Sequence, residues 1–352
     1  MEVDRSAWRG RRVLVTGHTG FKGAWLALWL QRLGAEVTGV ALPAADVRGA
    51  WPAMAPWDDV RSIEADIRDP QAVHAAVARA HPEVVFHLAA QAIVREGYAD
   101  PVGTYATNVQ GTLNVLEAVT ASGGVAAAVV VTSDKVYENR GTGRAFAEDD
   151  RLGGADPYSS SKACAELAVA AWRRSFLAGR PPAVATARAG NVLGGGDRGR
   201  SRVAPDVQDA VTAGVPVVLR YPDATRPWQF VLDPLRGYLL LAQHLLAGAS
   251  PPVDALNFGP SDEVGVKVRD LVERMLALFG GGTWELDTIP GGAEAPFLHL
   301  DASRAREVLG WEPRADLDRT LRWTAEWWRA EAGGADRRAV ALSQLDEYEA
   351  LA

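Results

Sequence analysis

The stretch Thr16-Gly17-His18-Thr19-Gly20-Phe21-Lys22-Gly23 decides the fold. It follows directly after an apolar run at 13–16, and it precedes a longer run rich in apolar residues at 24–33. Glycines in a turn between a parallel strand and a helix let backbone N–H groups approach a pyrophosphate, and the helix N-terminus adds positive potential. The sequence therefore predicts a dinucleotide-binding turn here, with the third glycine allowing the helix to pack closely on the sheet.

Short apolar runs alternate with helical patterns through the rest of the first half, which indicates βαβ units and a parallel sheet. The fifth run is almost continuously apolar, as expected for a strand that is buried on both faces. The sequence predicts an α/β fold with a doubly wound parallel sheet of the Rossmann type. The predicted strands lie at 13–16, 36–42, 62–66, 84–88, 126–132 and 184–187, and the predicted helices at 24–33, 71–80, 109–119 and 158–176.

The amino-acid composition changes near residue 190, where clusters of glycine, arginine and proline begin. We predict a cofactor-binding Rossmann domain over residues 1–190, with a return segment near 230–256. A smaller C-terminal α/β lobe over 191–229 and 257–335 would bind the substrate, and 336–352 would be a loosely attached polar tail. Helices of the second half are predicted at 203–213, 235–246, 268–279 and 305–309.

Composition excludes several classes of protein. The 352 residues carry 37 Lys and Arg against 44 Asp and Glu, a formal charge of −7 without a basic stripe, so nucleic acid is not an expected partner. No apolar run approaches the roughly 20 residues that span a bilayer, and the first residues do not resemble a signal peptide. The single Cys164 requires no oxidising compartment, so we expect a cytoplasmic protein. No histidine pair has metal-ligand spacing, and no metal is predicted.

Tyr158 and Lys162 form a second motif. They lie four residues apart in a predicted helix, so both side chains project from one face. A lysine at that distance can lower the pKa of the phenol and also hold the ribose of a cofactor. The tyrosine could then exchange a proton with a substrate hydroxyl during hydride transfer.

Together these motifs resemble those of the extended short-chain dehydrogenase/reductase family, over roughly residues 10 to 330. The resemblance implies an NAD(P)-binding domain, a lobe for a nucleotide sugar, and a catalytic set of Ser133, Tyr158 and Lys162. Thr132 is the alternative to Ser133 as the catalytic hydroxyl.

The same resemblance implies further contacts to the cofactor, from Leu88, Ala89, Ala90 and Asn108. The carboxylate that usually follows the second strand and binds the adenosine ribose is missing. Asp46 is a late substitute for it. Asp66 and Ile67 could meet the adenine instead, and NAD is favoured over NADP.

Asp134-Lys135 directly follows Ser133, where the nucleotide-sugar 4,6-dehydratases of the family carry an acid-base pair. The resemblance implies elimination of water from a nucleoside diphosphate sugar, with CDP-glucose favoured. Asp134 would be the acid for the departing hydroxyl. Lys135 would be either the base at C5 or a cation that stabilises the enolate.

Five residues are candidates for binding the nucleotide sugar, since amides and guanidinium groups suit hydroxyl and diphosphate contacts: Gln91, Asn191, Arg202, Arg220 and Arg226. A homodimer or a higher homo-oligomer is implied by the resemblance. The alternatives are a dehydratase for another sugar nucleotide, a 4-epimerase, which has no need of Asp134 and Lys135, and a non-catalytic NAD(P)-sensing protein, which would be expected to lack Tyr158 or Lys162.

Overall fold

The computed structural model describes residues 2–250, 252–260, 265–287 and 297–351. The strands of these residues are β1 Arg12–Thr16, β2 Glu36–Ala41, β3 Val60–Glu64, β4 Val84–His87, β5 Ala127–Val131, β6 Ala183–Ala189, β7 Val192–Leu193, β8 Val217–Leu219, β9 Thr225–Arg226, β10 Gln229–Phe230, β11 Ala255–Phe258, β12 Val266–Lys267 and β13 Trp284–Leu286.

The helices of the described residues are α1 Arg5–Trp8, α2 Phe21–Leu33, α3 Ala50–Ala53, α4 Pro70–Ala80, α5 Val94–Ala99, α6 Pro101–Tyr105, α7 Gly111–Ser122, α8 Pro157–Trp172, α9 Val203–Ala213, α10 Leu232–Leu246, α11 Val268–Leu278, α12 Ser303–Leu309, α13 Leu317–Ala332 and α14 Arg337–Glu349. Single π-helical turns precede α7 and follow α8, and a 3-10 turn covers Asp134–Val136.

One parallel sheet of seven strands organises the described chain, in the order β11-β6-β5-β4-β1-β2-β3. Every neighbouring pair in it is parallel. The strand order reverses between β1 and β4, which is where a doubly wound sheet opens a crevice at the carboxyl ends of its strands. The predicted fold class is therefore confirmed, with one strand more than the six predicted.

Helices cover both faces of the sheet because its central strands are apolar throughout. In β5 all five side chains are buried. One face packs Val73 and Val77 of α4 and Val115 of α7. The other face packs α2 and α10 into a larger core that continues into the C-terminal lobe. Burial on both faces leaves the edge formed by the strand ends as the place for a binding site.

The local sequence explains where α2 and α8, the two helices that carry functional residues, begin. Gly20 caps α2, which ends at Gly34 in a left-handed conformation. Asp156 caps α8 through the backbone N–H of Ser159, and Pro157 occupies the first helical position, where its missing N–H costs nothing. α8 therefore begins one residue before Tyr158.

The third strand lies two residues earlier than predicted. Asp66 accepts a hydrogen bond from the backbone N–H of Arg68, and this tight turn takes the chain away from the sheet after Glu64. The bounds of several helices also differ from prediction by two or three residues, as in α10, which begins at Leu232.

The chain returns to the sheet through α10 and β11, and β11 pairs with β6 as far as Phe258. Small two-stranded sheets pair β7 with β10, β8 with β13, and β9 with β12 outside the main sheet. The division of the chain into two lobes at the predicted boundaries stays a prediction.

The prediction of a loosely attached tail at 336–352 is wrong for the residues of that range that the structure describes. They form α14, whose Ala341, Leu345 and Tyr348 are fully buried. The Tyr348 hydroxyl donates to the buried carboxylate of Asp233 at 2.8 Å. Val340 and Leu342 of the same helix also pack against this core, so apolar side chains dock α14 on the rest of the chain. Four tryptophans of the second half lie in the same core: Trp311, Trp323, Trp327 and Trp328.

Candidate active site

One cavity of about 1160 Å³ opens at the carboxyl ends of the sheet strands, between the sheet and the C-terminal lobe. Among the described residues, all of the predicted site residues except Asn108 line it. These are Gly17, Thr19, Gly20, Phe21, Lys22, Gly23, Asp66, Ile67, Leu88, Ala89, Ala90, Gln91, Ser133, Asp134, Lys135, Tyr158, Lys162, Asn191, Arg202, Arg220 and Arg226.

The glycine turn after β1 has the geometry that a dinucleotide needs. Gly17 has φ +77°, and a Cβ there would lie 2.7 Å from the backbone nitrogen of Ala89. A Cβ on Gly23 would lie 2.1 Å from the carbonyl oxygen of Gly17. Only glycine allows these approaches. The turn is thus held flat against the sheet, with the N-terminus of α2 facing the cavity, and it fits the pyrophosphate of NAD.

Asn108 is not among the residues that line the cavity, and its predicted contact with the cofactor stays a prediction. Its amide donates to the Gln91 carbonyl oxygen and to Ser161 Oγ, and its side-chain oxygen accepts from the Gln91 backbone N–H. It therefore braces the segment after β4 against α8. The Gln91 side chain lines the cavity, although its amide also donates to Thr104.

Tyr158 and Lys162 lie one above the other on α8, as predicted, and both are buried. Burial raises the pKa of Tyr158, while a hydrogen bond with Ser133 and the charge of Arg202 lower it. Burial lowers the pKa of Lys162 to about 8, and its Nζ donates to the Val131 carbonyl oxygen at 3.2 Å. Arg202 is one cation that lowers the pKa of the phenol, and the predicted effect of Lys162 on it stays a prediction.

Ser133, Asp134 and Lys135 form the turn that follows β5; these three residues are called the catalytic segment below. Asp134 is 2% exposed. Its Oδ1 accepts from Ser133 Oγ at 3.0 Å, while Oδ2 has no hydrogen-bond partner among the described residues. Lys135 Nζ lies 3.9 Å from Oδ1. A buried carboxylate oxygen without a partner at a cavity wall is suited to bind a hydroxyl group.

Gly190 packs close to this oxygen. A Cβ at residue 190 would lie 3.1 Å from Asp134 Oδ2 and 2.8 Å from the ring of Pro227. A side chain at this position would therefore crowd the carboxylate.

Thr132 does not replace Ser133 as the catalytic hydroxyl. Its Oγ1 donates to Glu166 at 2.5 Å. The Ser133 side chain instead makes the hydrogen bond to Tyr158. Alternation along an extended backbone explains the difference, because successive side chains point to opposite sides.

Arginine side chains give the substrate end of the cavity a positive charge. Arg202 pairs with Asp197 at 3.1 Å, which raises the pKa of the guanidinium. Arg220 and Arg226 line the same region, as does Arg95 of α5, which the sequence analysis did not single out. Fixed guanidinium groups around a cavity suit a diphosphate.

The other end of the cavity has carboxylates that already have cationic partners. Both Asp66 oxygens accept from the Arg68 side chain, and Asp46 pairs with Arg48 at 3.0 Å. Thr19 donates to the carbonyl oxygen of Leu42 just after β2. Backbone atoms and Ile67 therefore form most of the surface at this end of the cavity.

His18 is a feature of the glycine turn whose role the sequence did not indicate. It is fully buried, with Nε2 2.8 Å from Ser62 Oγ and its ring edge-on to Trp51. A Cβ on Gly39 of β2 would lie 2.2 Å from the His18 ring, so that glycine makes room for the imidazole. Burial lowers the pKa of His18 to about 4, which keeps it neutral.

Lys22 reaches the base of the cavity and contacts Tyr238. Its Nζ lies 3.5 Å from the Tyr238 hydroxyl, and burial together with Arg202 lowers its pKa to about 8. In the part of the chain that the structure describes, no group of histidine, cysteine or acidic residues could hold a metal ion. No helix there is long and apolar enough to cross a membrane.

A Rossmann sheet with a glycine turn and a Ser-Tyr-Lys set at its carboxyl edge defines a dinucleotide-dependent enzyme. Residues 13–258 match the NAD dependent epimerase/dehydratase family. The chain belongs to this family, which confirms the resemblance to the extended short-chain dehydrogenases/reductases and NAD as the cofactor.

Relatives of known activity extend this comparison. CDP-glucose 4,6-dehydratase of Salmonella typhimurium is 42% identical over 98% of both chains. UDP-glucose 4-epimerase of Thermus thermophilus, solved with NAD, has a TM-score of 0.79 and 26% identity over 90% of this chain and 99% of that one. dTDP-glucose 4,6-dehydratase of Bacillus anthracis, also solved with NAD, has a TM-score of 0.78 and 19% identity over 94% and 100%, which shows the shared fold.

Proposed function

We propose that this enzyme is an NAD-dependent hydro-lyase that converts CDP-D-glucose to CDP-4-dehydro-6-deoxy-D-glucose. The observation that carries the proposal is the Asp134-Lys135 pair next to Ser133 in the cavity wall, with one buried carboxylate oxygen that has no hydrogen-bond partner among the described residues. The Salmonella relative, whose name states this activity, supports the choice of substrate.

The reaction requires oxidation before elimination. The proton on C5 of a hexose is not acidic until C4 becomes a ketone, because only then is C5 an α-carbon. Bound NAD would supply the hydride chemistry, as acceptor at C4 and donor at C6, and a proton would return to C5. The glycine turn, Leu88 to Ala90 and Lys162 would hold the cofactor.

Tyr158 removes the proton from O4 of the sugar. Burial and the carboxylate of Asp134 raise the pKa of the phenol, while Ser133 and Arg202 oppose that rise and so make the deprotonated form, which can accept this proton, less costly to form. Ser133 also orients the phenol through its hydrogen bond.

Asp134 protonates the departing hydroxyl at C6, since the residue lines the cavity and its Oδ2 has no hydrogen-bond partner among the described residues. Lys135 lies beside it, with a side chain that is about a quarter exposed, at 27%. It removes the C5 proton or stabilises the enolate as a cation. Replacing Lys135 by arginine separates the two roles, since arginine keeps the charge and cannot act as a base at neutral pH.

We propose a homodimer that forms through α6 and α8. Val102 on α6 and Leu167 on α8 are 79% and 57% exposed in the single chain, and Phe176 continues the same apolar surface beyond α8. Ala165, by contrast, is buried within the chain and cannot contact a partner. Light scattering of wild-type protein and Leu167→Glu tests this, with a monomer expected for the variant. The cytoplasmic location stays a prediction.

Mass spectrometry tests the reaction. Purified protein with NAD is incubated separately with CDP-glucose, dTDP-glucose, UDP-glucose and GDP-mannose. We expect loss of one water from CDP-glucose, abolished in Tyr158→Phe and Lys135→Ala. Loss of water from another donor alone would give the same reaction with a different substrate. Isomerisation without loss of water would instead assign a 4-epimerase.

A further inference from the structure

A buried ion pair behind the active site joins α8 to β6. Glu166 lies one helical turn beyond Lys162, and Arg188 lies on β6. Their side chains are 4% and 5% exposed. Arg188 donates from Nη2 to Glu166 Oε2 at 2.8 Å and from Nε to Oε1 at 3.0 Å. This two-point geometry fixes both side chains in orientation as well as in distance.

The same ion pair holds the chain on both sides of the catalytic segment. Thr132, which precedes Ser133, donates to Glu166 Oε1 at 2.5 Å. Tyr137, which follows the 3-10 turn, accepts from Arg188 Nη1 at 2.8 Å, and its ring centre lies 5.1 Å from the guanidinium carbon. The Tyr137 hydroxyl in turn donates to Asn257 of β11 at 2.7 Å.

We propose that Glu166 and Arg188 are positioning residues, which clamp the catalytic segment at a fixed distance from Tyr158 and Lys162. The inference rests on the proposed function, because it concerns alignment of the dehydration residues with the oxidation residues. Glu166 belongs to the helix that carries Tyr158, and Thr132 to the strand end that carries Ser133. Their hydrogen bond is therefore a direct link between the two halves of the catalytic set.

Such a link matters because the catalytic segment lies outside the sheet. It leads into a 3-10 turn whose Val136 is buried in a small core, and the side chains of Ser133 and Asp134 are hydrogen-bonded to each other. A displacement of about 1 Å in a catalytic group can reduce a rate by roughly a hundredfold. A clamp of buried, charge-assisted hydrogen bonds restricts that displacement.

Glu166 has a second effect, on the charge of Lys162. Burial lowers the pKa of Lys162, and the carboxylate of Glu166 raises it. The other ionisable groups that face Lys162 are Lys22 of α2 and His87 of β4, together with Tyr158 on its own helix. Only Glu166 among them is an anion at neutral pH, so it favours the protonated lysine.

Two threonines offer a matched test. Thr132 and Thr186 are both buried, and each donates one hydrogen bond to the Glu166 carboxylate, but Thr186 lies within β6 and away from the catalytic segment. Thr132→Val and Thr186→Val remove the same group without changing size. With CDP-glucose at saturating NAD, we expect kcat to fall roughly ten- to a hundredfold in Thr132→Val, with KM nearly unchanged. Thr186→Val should keep kcat within about threefold of wild type.

Melting temperatures of the two variants separate positioning from stability. Equal losses of kcat in both variants, in proportion to their loss of stability, would overturn the proposal. So would wild-type kcat in Thr132→Val. Glu166→Gln adds a second measurement, the pH dependence of kcat, which a purely structural role would not change. The alkaline limit of kcat should shift to lower pH, because the neutral amide no longer raises the pKa of Lys162.

Crystal structures of the two threonine variants test the proposed positioning role without any substrate. We expect Ser133 to move away from Tyr158 in Thr132→Val and to stay in place in Thr186→Val. If wild-type protein removes no water from CDP-glucose, the proposed function fails. The clamp is then judged on these structures alone, and an unmoved Ser133 in Thr132→Val overturns it.

Discussion

The two ends of the cavity are built differently. The end that carries Tyr158 and the catalytic segment consists of buried side chains joined to one another by hydrogen bonds. The end formed after β2 and β3 presents Asp46 and Asp66, whose carboxylates are already engaged by neighbouring arginines. The first end is thus arranged for chemistry. The second end offers mostly backbone and apolar contacts to whatever binds there.

This difference indicates which end of the cavity carries the reactive side chains. A buried group must have a partner or a function, since leaving a buried polar atom unpaired is costly. Asp134 Oδ2 is such an atom, and it lies at the chemical end. We therefore expect substitutions at that end to change kcat strongly, and substitutions at the other end to change cofactor binding weakly.

The largest effect is expected for Tyr158→Phe. Loss of the phenolic proton acceptor should reduce kcat by about 10²- to 10⁴-fold, which is the usual contribution of a general base. Initial rates of water loss from CDP-glucose measure it. Tyr105→Phe is the control, because its hydroxyl contacts Ser160 and the residue does not line the cavity. A kcat for Tyr158→Phe within tenfold of wild type would remove this residue from the mechanism.

Asp134→Asn tests whether the two ends of the cavity differ in their contribution to kcat. The amide cannot protonate the C6 hydroxyl, so we expect kcat to fall by roughly 10²-fold with little change in KM. Asp46→Asn makes the same chemical change at the other end and should leave kcat unaltered. If the two variants lose activity equally, the contrast between the ends is wrong.

The pH dependence of kcat is expected to show an alkaline limit near pH 8. Burial lowers the pKa of Lys162 to about 8, so the ammonium is present below that pH and is lost above it. Lys162→Arg retains the charge and should move the limit to higher pH while lowering kcat. Lys22 has a similarly lowered pKa, and a limit that moves in Lys22→Met but not in Lys162→Arg would assign the titration to Lys22.

The smallest effect is expected for Asp66→Ala. Because its carboxylate is paired with Arg68 in a partly exposed site, we expect the KM for NAD to change less than about threefold and kcat to stay constant. Initial rates at varied NAD measure this. A tenfold increase in KM would mean that Asp66 leaves Arg68 to bind the cofactor.

The sequence allowed the sheet, the glycine turn and most of the cavity lining to be predicted, because those features depend on local patterns. Gly17 and Gly23 are required by contacts within one βαβ unit. α14 was missed because many of its residues are polar and because its docking depends on distant contacts, such as that of Tyr348 with Asp233.

Long-range contacts account for the other differences at the site. The role of Asn108 depends on Gln91 and Ser161, which come from other elements. The link from Thr132 through Glu166 to Arg188 joins three elements and has no local pattern. The pKa of Tyr158 follows from burial and from Arg202 in the C-terminal lobe, and neither could be read from the spacing of Tyr158 and Lys162.

The most direct test of the proposed reaction follows one hydrogen atom. CDP-glucose with deuterium at C4 is incubated with the enzyme and NAD, and the product is examined by NMR. Oxidation at C4 followed by return of the same hydride predicts deuterium in the C6 methyl group. Deuterium that remains at C4, or a methyl group without the label, would contradict the account.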